Sequence, residues 1–180
     1  MGESPKAFIG IDASLRSSGV VVLRSGTAPL QVRIAPPASL GEKSYSYIYD
    51  NFDALLKLIG GGASMAALEG PSFNSMNRPF DMGAAYGVFK VLLVQYKVPF
   101  VTVPPKSLKK YMTGNGAASK DTMVLYANNM GLDSKQEDIA DAFALSLLAK
   151  DCFNGHAEIR TRHKEEVVQQ SLSTLVTYAP

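Results

Sequence analysis

The sequence holds few side chains of the kinds that bind zinc or drive nucleophilic catalysis. One cysteine, Cys152, and two histidines, His156 and His163, both in the polar C-terminal stretch, leave little material for a zinc site or a serine-histidine-aspartate triad. A lone cysteine excludes an intramolecular disulfide framework and suits a reducing compartment; on an apolar helix it reads as a core filler rather than an activated thiol. No apolar run approaches the roughly 20 residues of a membrane span, and the opening MGESPKAF lacks the apolar stretch of a signal peptide. A cytoplasmic protein without membrane association is expected. Net charge is small as well, at +2, so total charge establishes no nucleic-acid partner and its distribution matters more. Repeats and low-complexity linkers are absent.

What is present is enough apolar residue, 46% of 180, for one domain with a sizeable core. AFIGIDAS (7–14) and GVVVLRS (19–25), joined by a short polar turn, read as a strand hairpin, and LQVRIA (30–35) alternates as a third strand. SYIYDNFDALLKLI (46–59) has helical spacing and stops at three glycines. SMAALEG (64–70) and VPFVTVP (98–104) are buried strands on either side of a long helix over 76–97, in which Pro79 is admissible only in the first turn. Helices follow at 105–112, closed by Gly114, at 119–130, closed by Gly131, and at 134–150. This order predicts an α/β fold with a mixed five-stranded sheet flanked by helices, antiparallel strands first and parallel crossovers after. The domain is expected over residues 1–153, with 154–180 a polar tail that has room for one helix around HKEEVVQQSLSTLV.

Four acids stand out against that scaffold. Asp12 ends the apolar FIGI run and Glu69 closes AALEG, positions where an unpaired carboxylate is uncommon and costly. Asp138 and Asp141, in SKQEDIADAFALSLLAK, are three residues apart and so share one helical face above Ala142 and Leu145. Plainer readings exist: acids in a first helical turn are favoured by about 0.3–1 kcal/mol, and Glu137, three residues after Ser134, has the spacing of a capping box. If all four acids converge, however, two carboxylates about 4 Å apart repel by roughly 4 kcal/mol at an effective dielectric near 20. A divalent cation relieves that repulsion, and oxygen-only ligands point to magnesium or manganese. Two such ions suggest hydrolysis of a phosphodiester.

Taken together, GIDASLRSSGVVV, ALEGPSF, KKYMTGNGAASK and EDIADAFAL resemble the RuvC family of Holliday-junction resolvases, over about residues 7–150 and in that family's order and spacing. The resemblance implies a ribonuclease H-like fold. It also implies that Asp12, Glu69, Asp138 and Asp141 are a catalytic tetrad binding two magnesium ions, with manganese as substitute, and that Lys109 and Lys120 lie near the scissile phosphate. Phe73 matches an aromatic that wedges against bases at the crossover, a contact worth about 1–3 kcal/mol; Phe80 competes for that role, and simple loop packing is the alternative. Where the bacterial form has Pro-Gly after its first acid, this chain has Ala13-Ser14, closer to phage-type members, and it runs on past the region of resemblance. Partnership with a branch-migration motor therefore stays open.

The lysine segment has its own physical reading. Lys106, Lys109 and Lys110 share a short helix, Gly114-Asn115-Gly116 makes a turn able to bring backbone amides close to a phosphate, and Lys120 opens the next helix. Only Asp121 offsets these charges locally; a solvated surface is the other reading. Ser14, Arg16 and Ser18 beside Asp12 either touch backbone phosphates or simply build the turn.

The expectation is a homodimeric, magnesium-dependent endonuclease that nicks opposing strands of a four-way DNA junction, because two symmetric cuts need two symmetric sites. The long helix, with MGAAYGVFKVLLVQY, is either the dimer interface or a core helix of one subunit. Three rivals remain: a relaxed branched-DNA nuclease acting on forks and flaps, a non-catalytic junction-binding module, and an actin-like kinase or ATPase, whose phosphate loop GIDASLRSSG also resembles. The last needs two such domains around a nucleotide cleft, which 180 residues do not supply.

Overall fold

Both faces of the central strands are covered, which is why their sequences are almost continuously apolar. The computed structural model describes residues 6–60, 63–70 and 79–178, with backbone alone at 79–82. Its five strands are β1 (Ala7–Asp12), β2 (Ser18–Arg24), β3 (Leu30–Ile34), β4 (Met65–Glu69) and β5 (Phe100–Val103), in the order β3-β2-β1-β4-β5. β1 and β2, and β2 and β3, pair antiparallel; β1 with β4 and β4 with β5 pair parallel. This is the mixed sheet expected from the sequence.

The helices are α1 (Ser44–Leu58), α2 (Pro79–Gln95), α3 (Pro105–Thr113), α4 (Lys120–Asn129), α5 (Glu137–Asn154) and α6 (Arg162–Leu172). Strand alternation sorts them into two layers. Ile9, Ile11, Val20, Val22, Ala66 and Leu68 point toward α1 and α2, while Phe8, Val21, Met65, Ala67, Val101 and Val103 point toward α3, α4, α5 and α6. α2 begins at Pro79, a residue suited to a first turn because its missing N–H would be unpaired there anyway. Its buried side includes Ala85, Phe89, Leu92 and Leu93. None of the helices, over the described residues, is long and apolar enough to cross a membrane.

α5 lies across β1, β2 and β4 at a distance that only glycine permits. A Cβ at Gly10 would fall 1.8 Å from the Ala142 carbonyl oxygen, and one at Gly19 would fall 2.1 Å from that of Asp138. Two missing side chains thus seat the first turns of α5 directly on the ends of β1 and β2.

The C-terminal segment is tied down at two places. Val167 and Val168 of α6 are buried, the Tyr111 hydroxyl donates to Asp151 Oδ2 at 2.6 Å, and the Lys164 ammonium stands 5.0 Å from the Tyr111 ring centroid. Farther on, Val176 and Phe100 exchange two backbone hydrogen bonds, of 2.9 and 3.1 Å, and Thr174 Oγ1 accepts from Thr102 N, so this stretch runs along the outer side of β5. Cys152 is buried, with burial pushing its thiol up to about 12, as befits a core filler.

Candidate active site

Sheet register builds the site. Asp12 pairs with Gly19, Gly19 pairs with Arg33, and Asp12 and Glu69 are the last residues of the adjacent parallel strands β1 and β4. Arg33, Gly19, Asp12 and Glu69 therefore form one row across the sheet, on the side that faces α5. Because Gly19 has no side chain, the opening of α5 fits into that row, bringing Asp138 and Asp141 to it. Asp12, Asp138 and Asp141 line a single open cleft of about 530 Å³, together with Ser14, Ser17, Arg33, Lys120, Lys135, Gln136 and Glu137. Glu69 is adjacent, hydrogen-bonded to Asp12.

The electrostatics follow from crowding acids into a poorly hydrated place. Burial raises Asp12 well above the usual carboxylate range, with Asp141 and Asp138 adding to the rise and Lys120 opposing it. Glu69 is raised further, by burial and then by Asp12 and Asp141, with its hydrogen bond to Asp12 adding to the rise and Lys109 pulling the other way. Asp141 is pushed up to about 6 by burial, against the opposing pull of Lys109 and Lys120. The site is short of positive charge.

That shortage has a sign that can be checked. A carboxyl whose folded pKa lies above its unfolded value stabilises the fold at low pH, and the benefit fades as pH climbs from the unfolded value through the folded one. For Asp141 the fade ends near 6, and for Asp12 and Glu69 it extends higher. In chelator, the melting temperature is expected to fall between about pH 5 and about pH 8 as these groups ionise against one another; millimolar magnesium should flatten or invert that slope. A melting curve in chelator that rises across this interval would contradict the assignment.

Among the described residues, no three His, Cys, Asp or Glu side chains close around one point. The acids are gathered into a cleft rather than drawn into a ligand cage, and Asp138 shows why: its Oδ2 accepts from the Ser17 hydroxyl and from Arg33 Nε at 3.0 Å, and its Oδ1 from the amide of Ile139. The donor set nevertheless fits a hard divalent cation. It is all oxygen, and burial together with the neighbouring acids raises Asp12, Glu69 and Asp141, a rise that a cation's charge opposes.

The basic residues divide. Lys109 and Lys120 are close enough to the acids to pull down the pKa values of Glu69, Asp12 and Asp141. Lys120 is also paired with Glu137, while Lys110 turns toward α6 and pairs with Glu166 at 2.9 Å, so Asp121 is not the sole offset. Lys106 is exposed on α3, its carbonyl oxygen 3.0 Å from where a Gly116 Cβ would stand. Arg16 lines a different groove, with Leu15, Pro36, Glu42 and Tyr45. Ser14 and Ser18 bond each other across the β1–β2 turn, although Ser14 also faces the acid cleft. Phe73 lies outside the described residues, as does the Phe80 side chain.

One expectation is corrected. Glu137 is not the reciprocal partner in a capping box with Ser134, because α5 starts at Glu137, capped by Gln136 with no side-chain bond; the Ser134 hydroxyl accepts from Gln136 N instead. The carboxylate of Glu137 is free to hold Lys120.

Ser17 and Arg33 escaped sequence reading. A signal existed for Arg33: it is the charged position in the alternating LQVRI strand and shares a face with Gln31, whose amide donates to the Leu132 carbonyl on the α5 side of the sheet.

Comparison with known proteins places the arrangement. The family model described as crossover junction endodeoxyribonuclease RuvC matches residues 8–149. A Brachyspira hyodysenteriae protein of that name is 34% identical over 104 residues, covering 57% of this chain and 64% of its own length, so the match spans just under two thirds of that relative. One from Parasynechococcus marenigrum is 31% identical over 151 residues, covering 78% of this chain and 95% of its own. In three dimensions, T. thermophilus RuvC in complex with a Holliday junction substrate superposes with a TM-score of 0.69, at 17% identity, over 96% of this chain and 99% of the other. At that identity the likeness is one of fold.

Proposed function

The chain belongs to the RuvC family, and from that premise we propose that it is a metal-dependent endonuclease that hydrolyses phosphodiester bonds by paired nicking of four-way DNA junctions. The observation that carries this is the cleft where Asp12, Asp138 and Asp141 meet beside Glu69, with Lys120 on its wall. Such a cleft suits magnesium, or manganese in its place. A pair of these cations, when bound, supplies an activated water and stabilises the departing oxygen of an in-line displacement.

The residues themselves do the holding. Asp12 and Glu69, at the ends of adjacent strands, would hold a cation through their carboxylate oxygens, and its positive charge would lower their raised pKa values, so that binding would displace protons. Asp138 and Asp141 offer oxygens from one face of α5. Lys109 and Lys120 set positive charge at the same cleft, where a DNA phosphate is neutralised as it enters. Lys106, exposed on α3, and Arg16, in the neighbouring groove, are candidates for flanking backbone, whereas Lys110 would first have to leave Glu166. Digestion of synthetic four-way, three-way and linear duplexes in magnesium is the direct test: preference for the four-way substrate supports resolution, equal cutting of the branched ones supports a relaxed branched-DNA nuclease, and metal-dependent cutting of none removes the enzymatic reading.

Two coordinated cuts need two copies of the site. The outer face of α2 is suited to meet its counterpart in a second copy. Gly83, Ala84, Val91 and Val94 are exposed along it, the two valines by 51% and 49%, and a Cβ at Gly83 or Gly87 would meet nothing within 4 Å among the described residues. Small residues at a spacing of four let two helix backbones approach closely. Val91→Glu is expected to convert a dimer into a monomer in sedimentation while the secondary structure by circular dichroism is kept, since the side chain is half exposed in the single chain; the melting temperature should lose its dependence on protein concentration. Dimers that persist unchanged would move the interface elsewhere.

A further inference from the structure

Arg33 is positioned in a way no lysine of the cleft shares. It sits on the edge strand β3, in register with Gly19 and hence in the same row as Asp12, about 10 Å away at the usual strand spacing. Its Nε donates to Ser17 Oγ at 2.7 Å and to Asp138 Oδ2 at 3.0 Å, which fixes the plane of the guanidinium. Neither terminal nitrogen donates a hydrogen bond to any described residue, and the side chain is 51% exposed at the mouth of the cleft. Of the lysines lining the cleft, Lys120 has its ammonium engaged by Glu137, and Lys135 makes no side-chain hydrogen bond among the described residues that would fix its direction.

A tethered guanidinium with its fork free is the arrangement that receives an oxyanion in two parallel hydrogen bonds. The carboxylate of Asp138 takes only Nε, so the pair leaves both terminal nitrogens available. We propose that Arg33 is a phosphate-holding residue of this cleft, oriented by Ser17 and Asp138 so that its two terminal nitrogens grip the non-bridging oxygens of a DNA phosphodiester. This rests on the nuclease reading above and adds to it a specific contact on the β3 side.

The test is binding of a synthetic four-way junction, in magnesium and over a series of salt concentrations, with Asp12→Asn as the parent. Arg33→Gln in that parent is expected to lower the slope of log affinity against log salt by about 0.9, the value for one phosphate contact. At moderate salt it should weaken binding about tenfold, as loss of a charged hydrogen-bonded contact does. Arg33→Lys should restore the slope but not the full affinity, since an ammonium cannot make the two-pronged contact. Ser17→Ala keeps the charge and frees the tether; the slope should stay and binding weaken about threefold. An unchanged slope in Arg33→Gln, with melting equal to the parent, overturns the proposal. Should that variant fail to fold, Ser17→Ala decides it, and binding identical to the parent overturns it. A parent that binds no four-way DNA overturns the nuclease reading and this one with it, whereas an unaffected slope overturns this one alone.

Discussion

Replacing Asp12 by asparagine should reduce nicking of a four-way junction by at least about a hundredfold, since even residues that merely support a metal ligand cost 10 to 100-fold when lost. Junction binding should survive. Asparagine keeps the size of the side chain and one acceptor oxygen but removes the charge that Asp141 and Asp138 resist and that Lys120 attracts. Cation binding then loses a ligand, while DNA phosphate meets less negative charge than before. The same change carries an internal control for folding: with one carboxyl fewer to ionise, the decline of metal-free melting temperature with pH should become shallower. Nicking at the wild-type rate would remove Asp12 from the catalytic set, whatever its place in the cleft.

The second large effect is structural. Gly10→Ala is expected to cost at least about 3 kcal/mol, the upper end of what overpacking usually costs, and to lower the melting temperature by roughly 10 °C for a chain of this size. The added methyl would lie 1.8 Å from the Ala142 carbonyl oxygen, 2.3 Å from the Ser146 amide nitrogen and 2.9 Å from the Leu145 carbonyl carbon. All three are backbone atoms of a buried helix, so no rotamer change offers relief and α5 must back away from β1. Since α5 also delivers Asp138 and Asp141, activity should fall along with stability even though no acid is touched. Gly19→Ala should shift the balance toward activity, because its methyl would strike Asp138 itself, 2.1 Å from that residue's carbonyl oxygen. Thermal melts and nicking assays of the two variants, side by side, separate the contributions; a Gly10→Ala chain that melts with the wild type would show that α5 has slack the packing does not reveal.

The layering was readable because burial leaves periodic traces. Strands covered on both faces are apolar throughout, and the strand and helix order then admits few topologies. Asp12 and Glu69 announced themselves by interrupting such runs, and the spacing of Asp138 and Asp141 put them on one side of a helix. Other features depend on information that no local window holds. Arg33 reaches Asp138 only because β3 pairs with β2 in one register out of several, and a slip of one residue would turn it to the opposite face. Ser17 was hidden among turn serines. Lys110 and Lys109 are neighbours on α3, yet one faces α6 and the other the acids, a difference of about 100° around the helix axis that the sequence alone does not orient. Glu137 has the spacing of a capping box with Ser134, yet the helix begins at Glu137 itself, and a lysine from α4 takes its carboxylate. In the last segment, Val167 and Val168 lie within a polar composition and gave too short an apolar signal to reveal that α6 packs into the core.

Sheets with bare margins invite neighbouring molecules to continue the ladder, the route to strand-by-strand aggregation. Thr174 and Val176 occupy that vacancy along β5. The opposite margin, β3, presents the charged Arg33 beside the polar Gln31, side chains that discourage an incoming strand. A chain ending before Thr174 would therefore be expected to lose solubility on storage well before it loses its fold, with fibrous or amorphous precipitate as the visible sign.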